Sequence, residues 1–215
     1  MQVYPGILLM NGVGYESNVY LIDRQLLVDT GTGLFFPQLR DNLVNLGVKP
    51  HQLELIVATH CHYDHIGAAK HFRDWCEAVI AIGRKDAPAL ENGDDRLTLA
   101  HLFGKRMRCI TVDKKLKQGD KLRTRNFCFE VIETPGHTQG SICLYERKRK
   151  ILISGDTLFS DGIGRSDLPG GDRRALKESL EKLSRLKVTY LLPGHGMPKI
   201  GGIEFLFKQI LARLK

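Results

Sequence analysis

The densest chemistry in the chain lies in Thr59-His60-Cys61-His62-Tyr63-Asp64-His65, where three imidazoles and a carboxylate fall within six residues. In extended backbone, residues two apart point to one side, so His60 and His62 can converge on one cation. A turn into a following helix then swings Asp64 and His65 toward a neighbouring position, and one short loop can serve two metals. Without a cation such a cluster would suffer mutual repulsion and desolvation. A lone histidine reads as an ordinary core or surface residue, but four such groups after an apolar strand do not. Three further residues share a second context, each just past a predicted strand and beside a glycine. They are His137 in Thr134-Pro135-Gly136-His137-Thr138, Asp156 in Ser154-Gly155-Asp156-Thr157, and His195 in Pro193-Gly194-His195-Gly196. Glycine permits sharp turns and close backbone approach, and strand ends at one edge of a layered α/β fold are where sites are built. These motifs use five of the eight histidines. His51, His71 and His101 lack any such context and read as structural or surface residues.

The elements that must carry these groups follow from periodicity and turn signals. Val19 to Ile22 and Gln25 to Val28 are β-rich runs split by Asp23-Arg24, and Asp29-Thr30-Gly31-Thr32-Gly33 stops the second. Pro37 to Leu46 places Leu39, Leu43 and Leu46 at helical spacing, closed by Gly47. Leu53 to Ala58 is an apolar run of strand length ending at the polar cluster, after which Ile66, Ala69 and Phe72 predict a helix. Ala78 to Ile82 reads as a strand, and residues 84 to 103 as helical or irregular. Strands are predicted at Phe127 to Glu133, Ser141 to Tyr145 and Ile151 to Ser154. Arg173 to Leu186 is a helix with Asp172 as N-cap, Val188 to Leu192 a strand, and Ile203 to Leu214 a final amphipathic helix. Both halves run strands first and helix last. This predicts an α/β fold of two similar layers packed sheet to sheet with helices outside, in a single domain spanning residues 1 to 215.

Composition bounds the function classes. The chain has 215 residues, 42% hydrophobic and 26% charged, ordinary values for a soluble, cored protein. No apolar stretch approaches the roughly 18 residues that cross a bilayer. Asn11, Gly12, Gly14, Glu16 and Asp23 interrupt any export-type segment near the start. Cys61, Cys76, Cys109, Cys128 and Cys143 are odd in number and widely spaced, which argues against a disulfide framework and for a reducing cytoplasm. The net charge of +8 favours anionic partners such as carboxylates, phosphates or nucleic acid. The densest basic runs, Arg147 to Lys150 and Lys114 to Lys117, read as solvated turns between strands.

The pattern H-x-H-x-D-H followed by separate His, Asp and His resembles the metallo-β-lactamase fold superfamily, from Asp29-Thr30-Gly31 through His195. Gly155-Asp156-Thr157-Leu158-Phe159, Gly164-Arg165-Ser166-Asp167 and Gly170-Gly171-Asp172 are similar to glyoxalase II-like hydrolases and the related persulfide dioxygenases. The resemblance implies a four-layer αββα sandwich of two mixed sheets. It implies one metal site of His60, His62 and His137, a second of Asp64, His65 and His195, and Asp156 as the bridge. Nitrogen and oxygen donors of this kind suit two divalent ions, with Zn²⁺ expected and Fe or Mn as alternatives. A bridging water would then ionise near neutral pH and act as nucleophile, positioned by Asp64, on a thioester or related acyl substrate. A thiolate leaves readily, so no dedicated acid is required. Asp29 corresponds to a structural acid supporting the metal loops, although turn capping explains it equally well. Arg165 corresponds to a position near the thiol carrier's carboxylate, with pairing to Asp167 as the competing role. Alternation turns Cys61 away from the ions into packing and leaves Tyr63 beside the site, where it can line the mouth.

Four comparisons with relatives shape the alternatives. Two-domain glyoxalase II enzymes carry a helical extension that grips glutathione, whereas this sequence ends 20 residues after His195, so another thiol carrier is open. Persulfide dioxygenases use one Fe²⁺ on positions corresponding to His60, His137 and Asp156. Some relatives cut RNA, but the chain shows no long insertion and no aromatic-rich basic stripe, so a small anionic acyl or thiol substrate is expected over nucleic acid or membrane. Lactonase-type relatives place a tyrosine three residues after the bridging aspartate, where this chain has Phe159.

Overall fold

Asp23 and Arg24 both take positive φ, 51° and 62°, at the centre of a tight turn closed by the Gln25 N–H donating to Ile22 O at 2.9 Å. They join β3 (Val19–Ile22) to β4 (Leu26–Val28), and with β1 (Gln2–Tyr4) and β2 (Ile7–Met10) these strands form an antiparallel meander. From β4 onward the pairing is parallel through β5 (Leu55–Ala58), β6 (Val79–Gly83) and β7 (Lys114–Leu116). The connections contain α1 (Phe36–Asn45), α2 (Tyr63–Ile66), α3 (Ala69–Cys76) and α4 (Ala87–Glu91). The result is a seven-stranded mixed sheet in chain order. The computed structural model describes residues 1–10 and 16–214. Asn11, Gly12 and Gly14, three of the residues that interrupt an apolar run near the amino end, lie outside the described residues.

The second sheet has six strands in the order β13-β12-β11-β10-β9-β8. These are β8 (Lys121–Arg123), β9 (Cys128–Glu133), β10 (Ile142–Glu146), β11 (Ile151–Gly155), β12 (Tyr190–Pro193) and β13 (Lys199–Ile200). Only β11 and β12 are parallel, because α5 (Arg173–Leu183) crosses between them. As expected, Asp172 caps α5, its carboxylate accepting the Ala175 N–H at 2.9 Å. The chain closes with α6 (Ile203–Arg213).

Three apolar clusters fix the layer order. Ile7, Tyr20, Val28 and Val57 from the first sheet meet Phe129, Leu144, Ile153 and Leu192 from the second in a central core. On the outer face of the first sheet Leu43 of α1 and Phe72 of α3 are fully buried. On the outer face of the second, Leu176 and Leu180 of α5 pack with Phe207 and Ile210 of α6. Helix, sheet, sheet, helix is the four-layer arrangement expected.

Several boundaries differ from expectation. Lys114 to Lys117 is not a turn: Lys114–Leu116 is β7, an edge strand whose two lysines face solvent while Leu116 is buried, a pattern that blunts an exposed sheet edge. The helix expected after the polar cluster is two helices. Gly67 separates them because the Thr32 backbone crosses there, and a Cβ on Gly67 would lie 2.3 Å from the Thr32 carbonyl oxygen.

Candidate metal centre

Strand direction brings the candidate residues to one edge. β4 and β5 are parallel, β11 and β12 are parallel, and β9 runs with β11 because each is antiparallel to β10. Asp29, the His60–His65 loop, His137, Asp156 and His195 all follow the carboxyl ends of these strands. Backbone bonds lock the two sheets together there: Ile142 N–H donates to Thr59 O at 2.9 Å and Asn18 N–H to Gly194 O at 2.6 Å.

All seven residues singled out in the sequence come together. His60, His62 and His137 form one trio and Asp64, His65 and His195 another, and within each trio one donor atom per residue lies within 4.8 Å of the others. His60 Nε2 is 3.1 Å from His62 Nδ1, and His65 Nε2 is 3.2 Å from His195 Nε2. Asp156 lies between the trios. Its Oδ2 is 3.6 Å from both His137 Nε2 and His195 Nε2, and its Oδ1 is 3.3 Å from His65 Nε2. Asp64 Oδ2 sits 3.0 Å from His195 Nε2.

Three of the polar atoms aimed into this space are unsatisfied. His62 Nε2, His137 Nε2 and Asp156 Oδ1 are buried without an aligned hydrogen-bond partner, an arrangement proteins avoid unless something else engages the groups. The imidazole nitrogens that face each other at 3.1 and 3.2 Å can share a proton, or give up that bond to a shared cation. The donor set, imidazoles and carboxylates without a thiolate, fits borderline divalent ions.

The charge states agree with that reading. Burial, then the neighbouring imidazoles, hold His60 and His62 below the ordinary histidine value, His62 at about 3, so both are neutral donors at pH 7. Burial opposes ionisation of Asp64 and Asp156, but the adjacent histidines outweigh it and lower both carboxyls. Burial also opposes charge on His65. Asp29, Asp156 and Asp64 overcome it and raise that imidazole well above its usual value.

A further ring of groups fixes the donors. Asp29 accepts from Thr59 N–H at 2.8 Å, from Thr59 Oγ1 at 2.9 Å and from His65 Nδ1 at 2.8 Å, which leaves His65 Nε2 facing the centre. Asp29 itself sits at φ 60°, a left-handed conformation that aspartate tolerates better than most residues. His137 Nδ1 donates to the carbonyl of Arg165 at 2.7 Å. The Arg165 side chain is not in the cluster. Its guanidinium pairs with Asp167 through two bonds of 3.0 and 2.8 Å at an exposed position. Cys61 is buried, its thiol 3.5 Å from Leu97 O, and burial pushes that thiol up, in keeping with packing. The Tyr63 ring lies 5.7 Å from that of Phe103, and the Phe159 ring 6.1 Å from that of His195.

Sequence reasoning missed Asp86. This buried carboxylate accepts from Cys61 N–H at 3.0 Å, Thr138 Oγ1 at 2.6 Å and Gly140 N–H at 2.7 Å, tying the His60–His65 loop to the His137 loop. It also missed Asn18 and Tyr20, whose side chains donate to Pro193 O at 3.0 and 2.7 Å and so brace the turn that carries His195. Only a polar residue inside a strand-like run, as at Tyr20, could have signalled them.

The family model of the metallo-beta-lactamase superfamily matches residues 12–195, the stretch that holds every one of these donors. The chain belongs to that superfamily. Among curated members, a protein of Methanocaldococcus jannaschii named as a probable metallo-hydrolase is 38% identical over 197 residues, covering 88% of this chain and 92% of its own. An acyl-coenzyme A thioesterase, MBLAC2 of Gallus gallus, is 32% identical over 85% of this chain and 73% of its own. The hydroxyacylglutathione hydrolase GloC of Haemophilus influenzae is 34% identical over 67% and 69%. Among solved structures of the fold, TTHA1623 in a di-iron-bound form superimposes with a TM-score of 0.77 at 28% identity, covering 92% of this chain and 96% of that one.

Proposed function

We propose that this superfamily member is a metal-dependent hydrolase of thioesters. His60, His62 and His137 would hold one divalent ion, Asp64, His65 and His195 the other, with Asp156 shared. The observation that carries the reading is the convergence of seven donors around three buried, unpartnered polar atoms. The names of the relatives, two of them thioester hydrolases, supply the substrate class.

Bound at such a site, paired divalent ions supply Lewis acidity and lower the pKa of a water from 15.7 toward about 7. The chain's own groups prepare for that. Asp29 and the Arg165 carbonyl hold His65 and His137 by Nδ1 and present Nε2 inward. His60 and His62 stay unprotonated. Asp64 and Asp156 stay ionised and orient the attacking water toward the acyl carbon. Cys61, the thiol nearest in sequence, is packed away from the centre, so attack by water rather than by a side chain fits the geometry.

The test is a substrate panel on protein of measured metal content. Hydrolysis of short acyl thioesters by zinc- or iron-loaded protein is the expected result. Oxygen consumption with a persulfide, and no thioester cleavage, would replace this reading with the dioxygenase one.

A further inference from the structure

A second cavity of about 470 Å³ opens beside the metal loop, along α3. Tyr63, the residue between His62 and Asp64, lines one part of it. Lys70 and Asp74 of α3 line another, and Lys105, Arg106 and Arg108 supply the facing wall. Asp74 is engaged by Lys70 at 3.2 Å. Among the described residues no ion pair involves Lys105, Arg106 or Arg108, so three uncompensated cations face this space. They are held in place: Lys105 N–H donates to Ala100 O at 3.0 Å, Ile110 N–H to Leu90 O at 2.9 Å, and Met107 and Ile110 are buried beneath the segment. Positive side chains gathered on one wall attract a polyanion. The Tyr63 ring, in the lining of the cavity, lies 5.7 Å from that of Phe103.

The position expected to take a carrier's carboxylate, Arg165, is by contrast already neutralised by Asp167. Uncompensated positive charge therefore lies at the groove. Lysine and arginine left without ion-pair partners suit phosphates, which carry more charge per group than a carboxylate and accept several charge-assisted bonds.

We propose that this groove binds the phosphate-bearing part of the substrate's thiol carrier, so that the acyl group is delivered on a nucleotide-type thiol of the coenzyme A class rather than on a tripeptide thiol. The proposal rests on the thioester reading above and specifies its substrate. The thiol end reaches the metal loop past Tyr63, and the phosphates lie against Lys105, Arg106 and Arg108.

Calorimetry on metal-free protein tests binding apart from catalysis. Coenzyme A should bind, adenosine 3′,5′-bisphosphate should displace it, and inorganic phosphate at the same concentration should not. The double variant Lys105→Glu, Arg106→Glu, folded by circular dichroism, should bind coenzyme A at least about tenfold more weakly, the loss expected when two attractive charges become repulsive. Arg108→Ala, which only deletes a charge, should weaken it less and in the same direction. With loaded enzyme, the ratio of kcat/KM for an acyl-coenzyme A over the same acyl N-acetylcysteamine thioester should fall at least about tenfold in the double variant, through KM. Coenzyme A binding unchanged by these substitutions, or no tighter than phosphate, overturns the proposal. So does single-stranded RNA binding more tightly than coenzyme A and losing affinity in the same variants. Failure to cleave the N-acetylcysteamine thioester, with coenzyme A binding intact, would count instead against the thioester reading.

Discussion

His65 is the most constrained donor in the cluster, fully buried and touched by Asp29, Asp64 and Asp156. Asp29→Asn keeps a side chain that accepts the left-handed backbone but removes the charge behind His65 Nδ1. The expected result is a 10- to 100-fold loss of affinity for metal, read by titration with a chelator. His62→Ala or Asp156→Ala should abolish turnover while the circular dichroism spectrum is retained. In metal-free protein the surrounding carboxylates hold a proton on His65 above its usual range, whereas His60 and His62 are already free of theirs. A cation entering beside His65 must expel that proton, so affinity there should rise with pH by up to about tenfold per unit, and binding at His60 and His62 should respond less. Affinities measured at pH 6 and pH 8 decide it, and an equal response in both sites would contradict the assignment. Away from the site, burial pushes the Cys143 thiol to about 11, so at pH 8 only about one molecule in a thousand carries the reactive thiolate. Alkylation with iodoacetamide should mark exposed Cys109 and spare Cys143.

At the scale of elements, the site is a junction of strand ends held at van der Waals distance. A Cβ on Gly194 would stand 2.2 Å from Asp156 Oδ1 and 2.8 Å from His65 Cε1. Gly194→Ala must therefore displace the Asp156 carboxylate, and both metal content and kcat/KM should drop sharply although no candidate donor is changed. The motifs around this junction were legible because His60, His62, Asp64 and His65 crowd together just past an apolar strand, and His137, Asp156 and His195 each adjoin a glycine past another. The β3–β4 hairpin, α5 with its Asp172 cap and α6 were legible for the same local reasons. What escaped has no local signature. β1 alternates weakly, β13 is two residues long, and Lys114–Leu116 looks like a solvated turn until its neighbour β6 is in place. Asp86 finds Thr138 and Gly140 more than fifty residues away, and Arg165 acts through a carbonyl that any residue possesses. Tertiary partners decide these, and a linear pattern does not contain them.

For the whole molecule, seven crowded donors, four of them buried, would be a source of instability without a cation, and a bound metal should relieve it. With free metal at about a thousand times its dissociation constant, binding to the folded state adds about 4 kcal/mol, or about 8–16 °C in Tm for a chain of this size. Scanning calorimetry before and after chelation should show that shift, and none if the cluster takes no metal. The donors are also divided along the chain: His60, His62, Asp64 and His65 precede the exposed basic segment at Lys105-Arg106, and His137, Asp156 and His195 follow it. A trypsin nick there would sever the backbone without removing a ligand from either piece. The cut halves should migrate as one particle while metal rivets them, and should come apart at a lower urea concentration once it is stripped, so that two separately made fragments become a reassembly reporter whose switch is the ion.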